Sequence, residues 1–235
     1  MMNVFAILLL SFASQGQMKF KADIFNLGSN WSGDQISTLE VEHRLEGEQL
    51  KTLATYRGHG GEEQFIDEGI LTAADKSIVE FRIQQKQTGE SGKVKVEGRK
   101  VFFEYTDAKG KTKKAEETLQ QPLVASINIL YFIRNNWNRL MAGESVPVRF
   151  AVWDRRETVG FEFTKMGTKS HGGQELVEIR MKPSSFIIAA LVDPIYMWFT
   201  ADGSKIQLLK GRVPLKKRDG GKWTPLDAES RYTWL

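Results

Sequence analysis

The chain has 235 residues, of which 41% are hydrophobic and 26% are charged, a balance typical of a folded globular protein and not of a disordered or integral-membrane chain. It carries a formal net charge of +4 and contains no cysteine. Without cysteine the protein has no disulfide, thiolate nucleophile, zinc–thiolate site or iron–sulfur cluster. Its length is sufficient for one sizeable hydrophobic core.

The first sixteen residues have the form of a secretory signal peptide. An apolar run over residues 4–13 stops at the small and polar residues 14–17, and it is shorter than the roughly 18 to 20 apolar residues that a membrane-spanning helix needs. No Lys or Arg precedes the run, so an apolar first strand or helix is the alternative. We predict a signal peptide at residues 1–16 and a single β-rich domain at residues 17–235, with a possible subdivision near residue 120. Because no cysteine is present to carry a lipid anchor, we expect a free periplasmic or secreted protein.

Short segments in which apolar and polar residues alternate, separated by glycine-containing turns, dominate the rest of the chain. One run places Val94 and Val96 before Gly98, and the next places Val101 and Phe103 after it. Such alternation is typical of antiparallel strands with one buried face. We predict about ten to twelve strands.

Two basic clusters adjoin glycine-containing turns. In an exported protein such clusters can contact anionic lipid head groups, whereas nucleic acid is not an expected partner. The alternative is that they form the solvated tips of hairpins. The residues concerned are Lys109, Lys111, Lys113 and Lys114 in the first cluster, and Lys216, Lys217 and Arg218 in the second.

One segment has helical spacing. Apolar residues recur at intervals of mostly three and four between Pro122 and Leu140, and Gly143 follows as a stop signal. This spacing predicts one helix over residues 122–140 with Pro122 in its first turn. A mainly antiparallel protein with one substantial apolar helix suggests an α+β fold in which a curved antiparallel sheet, or half-barrel, wraps around one central helix.

Two alternating runs on either side of a charged turn, residues 154–157, predict a β-hairpin with one buried face. At the turn, Asp154 and Glu157 are expected to pair with Arg155 and Arg156, with little effect on stability. The inward residues of the hairpin are Val148, Phe150 and Val152, followed by Val159, Phe161 and Phe163.

Residues 186–199 are almost wholly apolar and are interrupted by Asp193 and Pro194. The segment is too short and too interrupted to span a membrane. One interpretation is a corner at Asp193 and Pro194 followed by a fully buried strand. The other is an apolar wall of a lipid-sized cavity, for which exposed Tyr, Met, Trp and Phe side chains are suited.

Residues 121–163 resemble the C-terminal half of a group of bacterial exported proteins of unknown function. The resemblance rests on the apolar helix that contains Tyr131–Arg134, the turn at residues 143–147 and the following hairpin. In that group an aromatic strand and an Asp-Gly turn follow, as in residues 198–204. The group is distantly similar in architecture to the periplasmic lipoprotein carriers, whose curved sheet and inner helix hold acyl chains. The resemblance implies a fold and a compartment, and it assigns no functional residues.

Catalytic and metal-binding patterns are not found in the sequence. The three histidines, His43, His59 and His171, do not have the spacing of a helical zinc site, and no cysteine completes a ligand set. The His-Gly-Gly runs lack the Gly-x-Ser-x-Gly elbow that a lipase would need. We therefore predict a protein without enzymatic activity, metal or cofactor. A hydrolase would require a histidine to meet a carboxylate or serine through folding alone.

The leading hypothesis is an exported binding protein of the cell envelope that holds a lipid or a lipoprotein acyl chain in an apolar cavity. The alternative is a structural or protein-interaction module with a fully packed core and no ligand. An outer-membrane barrel is a third possibility, although the internal helix and the short strands disagree with it. The candidate cavity residues are Leu130, Tyr131, Trp137, Phe186, Ile188, Leu191, Tyr196 and Trp198.

Overall fold

The computed structural model describes residues 17–186, 190 and 192–235. The predicted signal peptide at residues 1–16 lies outside these residues, so export stays a prediction. The described residues form fifteen strands and two helices, more strands than we predicted. The strands are β1 Gln17–Asn26, β2 Gln35–Glu46, β3 Gln49–Gly58, β4 Glu63–Thr72, β5 Ile78–Gln85, β6 Glu90–Glu97, β7 Lys100–Thr106, β8 Thr112–Thr118, β9 Leu123–Val124, β10 Val146–Val152, β11 Glu157–His171, β12 Gln174–Pro183, β13 Ile195–Thr200, β14 Ile206–Asp219 and β15 Lys222–Trp234; the helices are α1 Ile129–Asn135 and α2 Trp137–Met141.

All fifteen strands belong to one sheet, and strands that are neighbours in the chain are neighbours in the sheet, with the one exception of β8 and β9. The first strand pairs with the last in the middle of the sheet, where Ala22 lies opposite Tyr232. Strands β8 and β9 lie at the opposite edges. Every pairing is antiparallel except that of β9 with β10. This confirms the predicted fold class, a curved sheet of mainly antiparallel strands around a helical segment.

The sheet is curved enough that distant strands contact each other through side chains. Glu117 of edge strand β8 accepts hydrogen bonds from the backbone N–H and the hydroxyl of Thr158 in β11, at 3.1 and 2.6 Å. Gln85, at the end of β5, donates from Nε2 to the backbone oxygen of Pro214 in β14 at 2.9 Å. These bonds hold the two arms of the sheet together around an interior.

The hairpin predicted from the runs at residues 148–152 and 159–163 is confirmed. Val148 of β10 lies opposite Phe161 of β11, and Phe150 lies opposite Val159. At the turn Arg155 forms an ion pair with Glu157 at 2.6 Å. The alternating pattern sufficed here because one face of each strand is apolar and the turn between them is short.

The prediction of one long helix beginning at Pro122 was wrong in its limits. Residues 123 and 124 form a strand beside β10, and the Asn128 side chain bonds the backbone of Leu123 and Ala125 at 3.2 and 2.9 Å. These bonds compete with helical hydrogen bonds, so α1 begins only after Asn128. The helical segment is divided into α1 and α2 at Asn136, whose Nδ2 donates to the backbone oxygen of Phe132 at 2.9 Å.

None of the described helices is long and apolar enough to cross a membrane.

The core lies on the inner face of the sheet and against the two helices. One cluster of buried side chains is centred on β1–β7 and includes Phe81 and Phe103, while a second is centred on α1 and β10–β13 and includes Ile133 and Phe163. Alternate residues of β12 and β13 point to the outer face. A small third cluster covers part of that outer face and consists of Trp31, Leu176, Trp198 and Leu208.

Candidate functional site

A cavity of about 540 Å³ lies between the inner face of the sheet and the start of α1. Its lining is mostly apolar and comes from both arms of the sheet, so that residues far apart in the sequence face one another across it. The interior is not filled by side chains at Ala54, which lies on the inner face of β3 and yet remains partly exposed. Apolar lining residues from six different strands and from the α1 segment include Val41, Phe81, Leu130, Phe150, Phe161, Met197 and Val213.

The curved sheet closes tightly over the cavity at two glycines. A Cβ atom on Gly69 would lie 2.6 Å from Cδ1 of Ile127, so the absence of a side chain allows the segment before α1 to approach β4. A Cβ atom on Gly92 would lie 2.5 Å from the Trp153 ring, which the β10–β11 turn brings over β6. Trp153 lines the cavity, so this turn covers one end of it.

Charged side chains line the cavity beside the β10–β11 turn. Asp154, Arg155 and Lys216 line it there, and all three are at least partly exposed. The side chain of Gln87 fixes the neighbouring part of β14 by bonding the backbone N–H and oxygen of Lys216 at 2.8 and 2.9 Å. The arrangement combines an apolar interior with a charged rim.

One buried polar pair joins the helix to the sheet. Nδ1 of His43, in β2, lies 2.7 Å from the hydroxyl of Tyr131, in α1. His43 lines the cavity and is only 4% exposed, and burial lowers its pKa to about 4. Burial also raises the pKa of Tyr131 to about 12. At neutral pH both side chains are therefore uncharged.

A second polar pair joins a buried carboxyl group to an exposed serine. Asp67, in β4, is 1% exposed and lines the cavity, and its Oδ2 accepts a hydrogen bond from the Ser126 hydroxyl. Its Oδ1 has no hydrogen-bond partner among the residues that the structure describes. Burial raises the pKa of Asp67 to about 7, the Ser126 hydrogen bond opposes this change, and the charge of Glu68 adds to it. Asp67 therefore changes its charge near neutral pH.

The predicted cavity residues lie in several places. Leu130 lines the cavity, and the Tyr131 hydroxyl is hydrogen-bonded to His43, which also lines it. Trp137 packs against Phe199, with the ring centroids 5.7 Å apart. Their part in ligand binding stays a prediction.

The remaining candidates belong to residues 186–199. Tyr196 and Trp198 point to the outer face, where the Trp198 ring meets Trp31 at 5.3 Å, while Met197 between them lines the cavity. Phe186 is 90% exposed. Ile188 and Leu191 lie outside the described residues, and ligand binding by any of these candidates stays a prediction.

His43, Asp67 and Ser126 are site residues that the sequence analysis did not identify. A signal was present for two of them. His43 continues the inward alternation of Leu39 and Val41, and Asp67 follows Phe65 at the same spacing. A polar side chain at an inward position of a strand is unusual and points to a hydrogen-bonded or functional group.

The first basic cluster, residues 109–114, lies in the β7–β8 turn and along edge strand β8. Lys114 forms an ion pair with Glu104 at 2.9 Å, and its side chain is largely exposed. The second cluster, residues 216–218, lies toward the end of β14. Membrane contact by either cluster stays a prediction.

A second hollow, also of about 540 Å³, lies between the β6–β7 turn and α1. Arg99, Gln120 and Asn135 are among its lining residues, and all three are exposed. Ile78, Leu119 and Phe132 also line it, so it combines a polar rim with a partly apolar wall.

Comparison of the sequence with protein-family models and with curated proteins gives no match. Similar solved structures include a beta-barrel-like protein of the domain of unknown function DUF1849 from Brucella abortus, which is 8% identical with a TM-score of 0.46, over 93% of this chain and 94% of that chain. A DUF1329 family protein from Desulfovibrio piger is 11% identical with a TM-score of 0.27, over 95% of this chain and 85% of that one.

A putative outer membrane lipoprotein-sorting protein domain from Vibrio parahaemolyticus is 10% identical, with a TM-score of 0.25, over 94% of this chain and 86% of that one. A lipoprotein-sorting domain, of the kind that the sequence analysis named, is thus among the solved structures similar to this chain. With such low identities and TM-scores, none of these similarities carries an argument about function.

Proposed function

We propose that the protein is a binding protein that holds a long hydrocarbon chain, such as the acyl chain of a lipid or lipoprotein, in its interior cavity. The observation that carries the proposal is the cavity of about 540 Å³ between the curved sheet and α1, with a mostly apolar lining. Sites of this size and character are the usual ones for apolar small molecules. The predicted export would place the protein among envelope lipids.

The lining explains why a chain would enter and why it could leave again. Each methylene group transferred from water to an apolar site contributes about 0.8 kcal/mol, so ten of them contribute about 8 kcal/mol. Binding opposes this with several kcal/mol of lost translational and conformational freedom. A single chain is therefore held reversibly, as a carrier or sensor requires.

The proposal predicts that Ala54→Phe weakens binding of a neutral fluorescent probe, N-phenylnaphthylamine, by about tenfold or more, because the larger side chain occupies part of the cavity. Ala54 is suited to this test because it lines the cavity and retains partial exposure there. Probe fluorescence on titration measures the affinity, and displacement by a long-chain alcohol shows that probe and chain share the site.

The matched control is Ala108→Phe, which makes the same change at an exposed position in the β7–β8 turn. We expect this variant to bind the probe as the wild-type protein does. Equal binding by wild type and Ala54→Phe, or no binding by wild type, would contradict the proposal. The second result would favour the alternative of an interaction module without a ligand.

A further inference from the structure

We propose that Asp67 is the polar contact of the ligand, and that its Oδ1 accepts a hydrogen bond from an O–H or N–H group carried by the hydrocarbon chain. This inference rests on the proposed function and adds a ligand class to it. The cavity would then prefer chains with a hydrogen-bond donor over chains whose head group only accepts, and over chains with an anionic head group.

The Asp67 carboxyl group is buried and only half of it is hydrogen-bonded. Asp67 is 1% exposed and its Oδ2 accepts from Ser126, whereas Oδ1 has no bond to any described residue. Buried polar atoms in native proteins are almost always paired, and an unpaired one is costly. Asp67 also lines the cavity, and neighbouring atoms cover its Oδ1, so a donor on a bound ligand would reach this oxygen by displacing them.

Contacts between β4 and the segment before α1 fix the position of the carboxyl group. The absence of a side chain on Gly69 lets Ile127 approach β4, and this approach places Ser126 on Asp67. The Ser126 hydroxyl donates to one carboxylate oxygen and thereby fixes the orientation of the group. The second oxygen is left for another donor.

The groups that face the Asp67 carboxyl are neutral or acidic at neutral pH. The hydroxyls of Tyr56 and Tyr232 and the charge of Glu68 interact electrostatically with this part of the site, and His43, on β2, is neutral at neutral pH. No Lys or Arg of the described chain is among the groups that act on the Asp67 carboxyl. The basic side chains that line the cavity either lie at its rim or are paired, as Arg212 is with Asp227 at 2.7 Å. An anionic head group would therefore meet a like charge, whereas an alcohol, an amide N–H or an ammonium group would meet an acceptor.

The test compares ligands with the same chain and different head groups. We would displace N-phenylnaphthylamine from the full chain at pH 8 with decanol, its methyl ether, decylamine and decanoate. Hydrogen bonds to charged groups are among the stronger ones, so decanol and decylamine are expected to displace the probe at about tenfold lower concentration than the ether. Decanoate is expected to be the weakest ligand.

Asp67→Asn provides the second measurement. Its amide oxygen can accept the Ser126 hydrogen bond, and its Nδ2 then faces the cavity as a donor. The variant should lose the preference for decanol over the ether while it still binds the ether. Persistence of the preference in this variant would overturn the inference.

The ranking in the wild-type protein tests the inference even if the variant does not fold. Equal displacement by all four ligands would overturn the role of Asp67 and leave the apolar cavity function intact. Failure of every ligand to displace the probe would instead contradict the proposed function itself.

Discussion

Asp67→Asn is expected to stabilise the folded protein at pH 8, and to remove a loss of stability that the wild-type carboxyl group causes as the pH rises from about 4 to 7. Burial raises the pKa of Asp67 from 3.8 to about 7 in the folded state. Over this interval the folded protein retains a proton that the unfolded chain releases, so the free energy of unfolding falls as the pH rises. The difference corresponds to as much as about 4 kcal/mol.

The pKa shift of His43 changes the free energy of unfolding with pH in the opposite direction, so a His43 variant serves as the control. Burial lowers its pKa from 6.5 to about 4, so the unfolded chain takes up a proton that the folded protein excludes, and stability is lost as the pH falls through this interval. In wild type the two effects oppose each other between about pH 4 and 6.5. His43→Gln should expose the effect of Asp67 alone, with stability falling as the pH rises.

Urea unfolding of the wild type and both variants between pH 4 and 8 would measure these slopes. The slope of the free energy of unfolding against pH should be positive for Asp67→Asn and negative for His43→Gln. The slope for the wild type should lie between them. A profile of Asp67→Asn parallel to that of the wild type would show that Asp67 is not a buried carboxyl group with a raised pKa.

Gly203→Ala is expected to lower the free energy of unfolding by about 2 to 4 kcal/mol, because two costs act at one position. Gly203 has a φ of +70°, where a side chain is strained, and an added Cβ would overlap the indole ring of Trp137. The ring cannot move freely since it packs against Phe199. The substitution should therefore loosen the attachment of α2 to the turn after β13.

Gly221→Ala separates the two costs. Gly221 has a φ of +81°, but apart from its two chain neighbours no residue of the described chain comes within 4 Å of an added Cβ. Only the backbone cost of roughly 1 to 2 kcal/mol is expected there. Equal losses of stability in the two variants, measured by urea unfolding, would show that the contact between Gly203 and Trp137 contributes nothing.

The antiparallel architecture could be predicted because local alternation and short turns specify it. The pairing of Val148 with Phe161 follows from two apolar faces joined by a charged turn. The helix limits could not be predicted in the same way, because the apolar spacing begins before the helix does. There the outcome depends on the bonds of Asn128 and on a strand pairing with β10 that the local spacing does not show.

The site was predicted only in part, since its geometry depends on contacts between distant elements. Ser126 meets Asp67 across 59 residues of sequence, and Tyr131 meets His43 across 88. In β13 five consecutive residues are apolar or aromatic, so alternation did not show which side chains face the interior. The structure places Met197 there and turns Trp198 to the outer face.

Native mass spectrometry of the full chain, purified without detergent, tests the central claim most directly. We expect the wild-type protein to carry additional mass of a bound lipid or to retain added decanol, and Ala54→Phe to show the mass of the protein alone. A wild-type spectrum that contains only the unliganded protein, before and after incubation with decanol, would contradict the account.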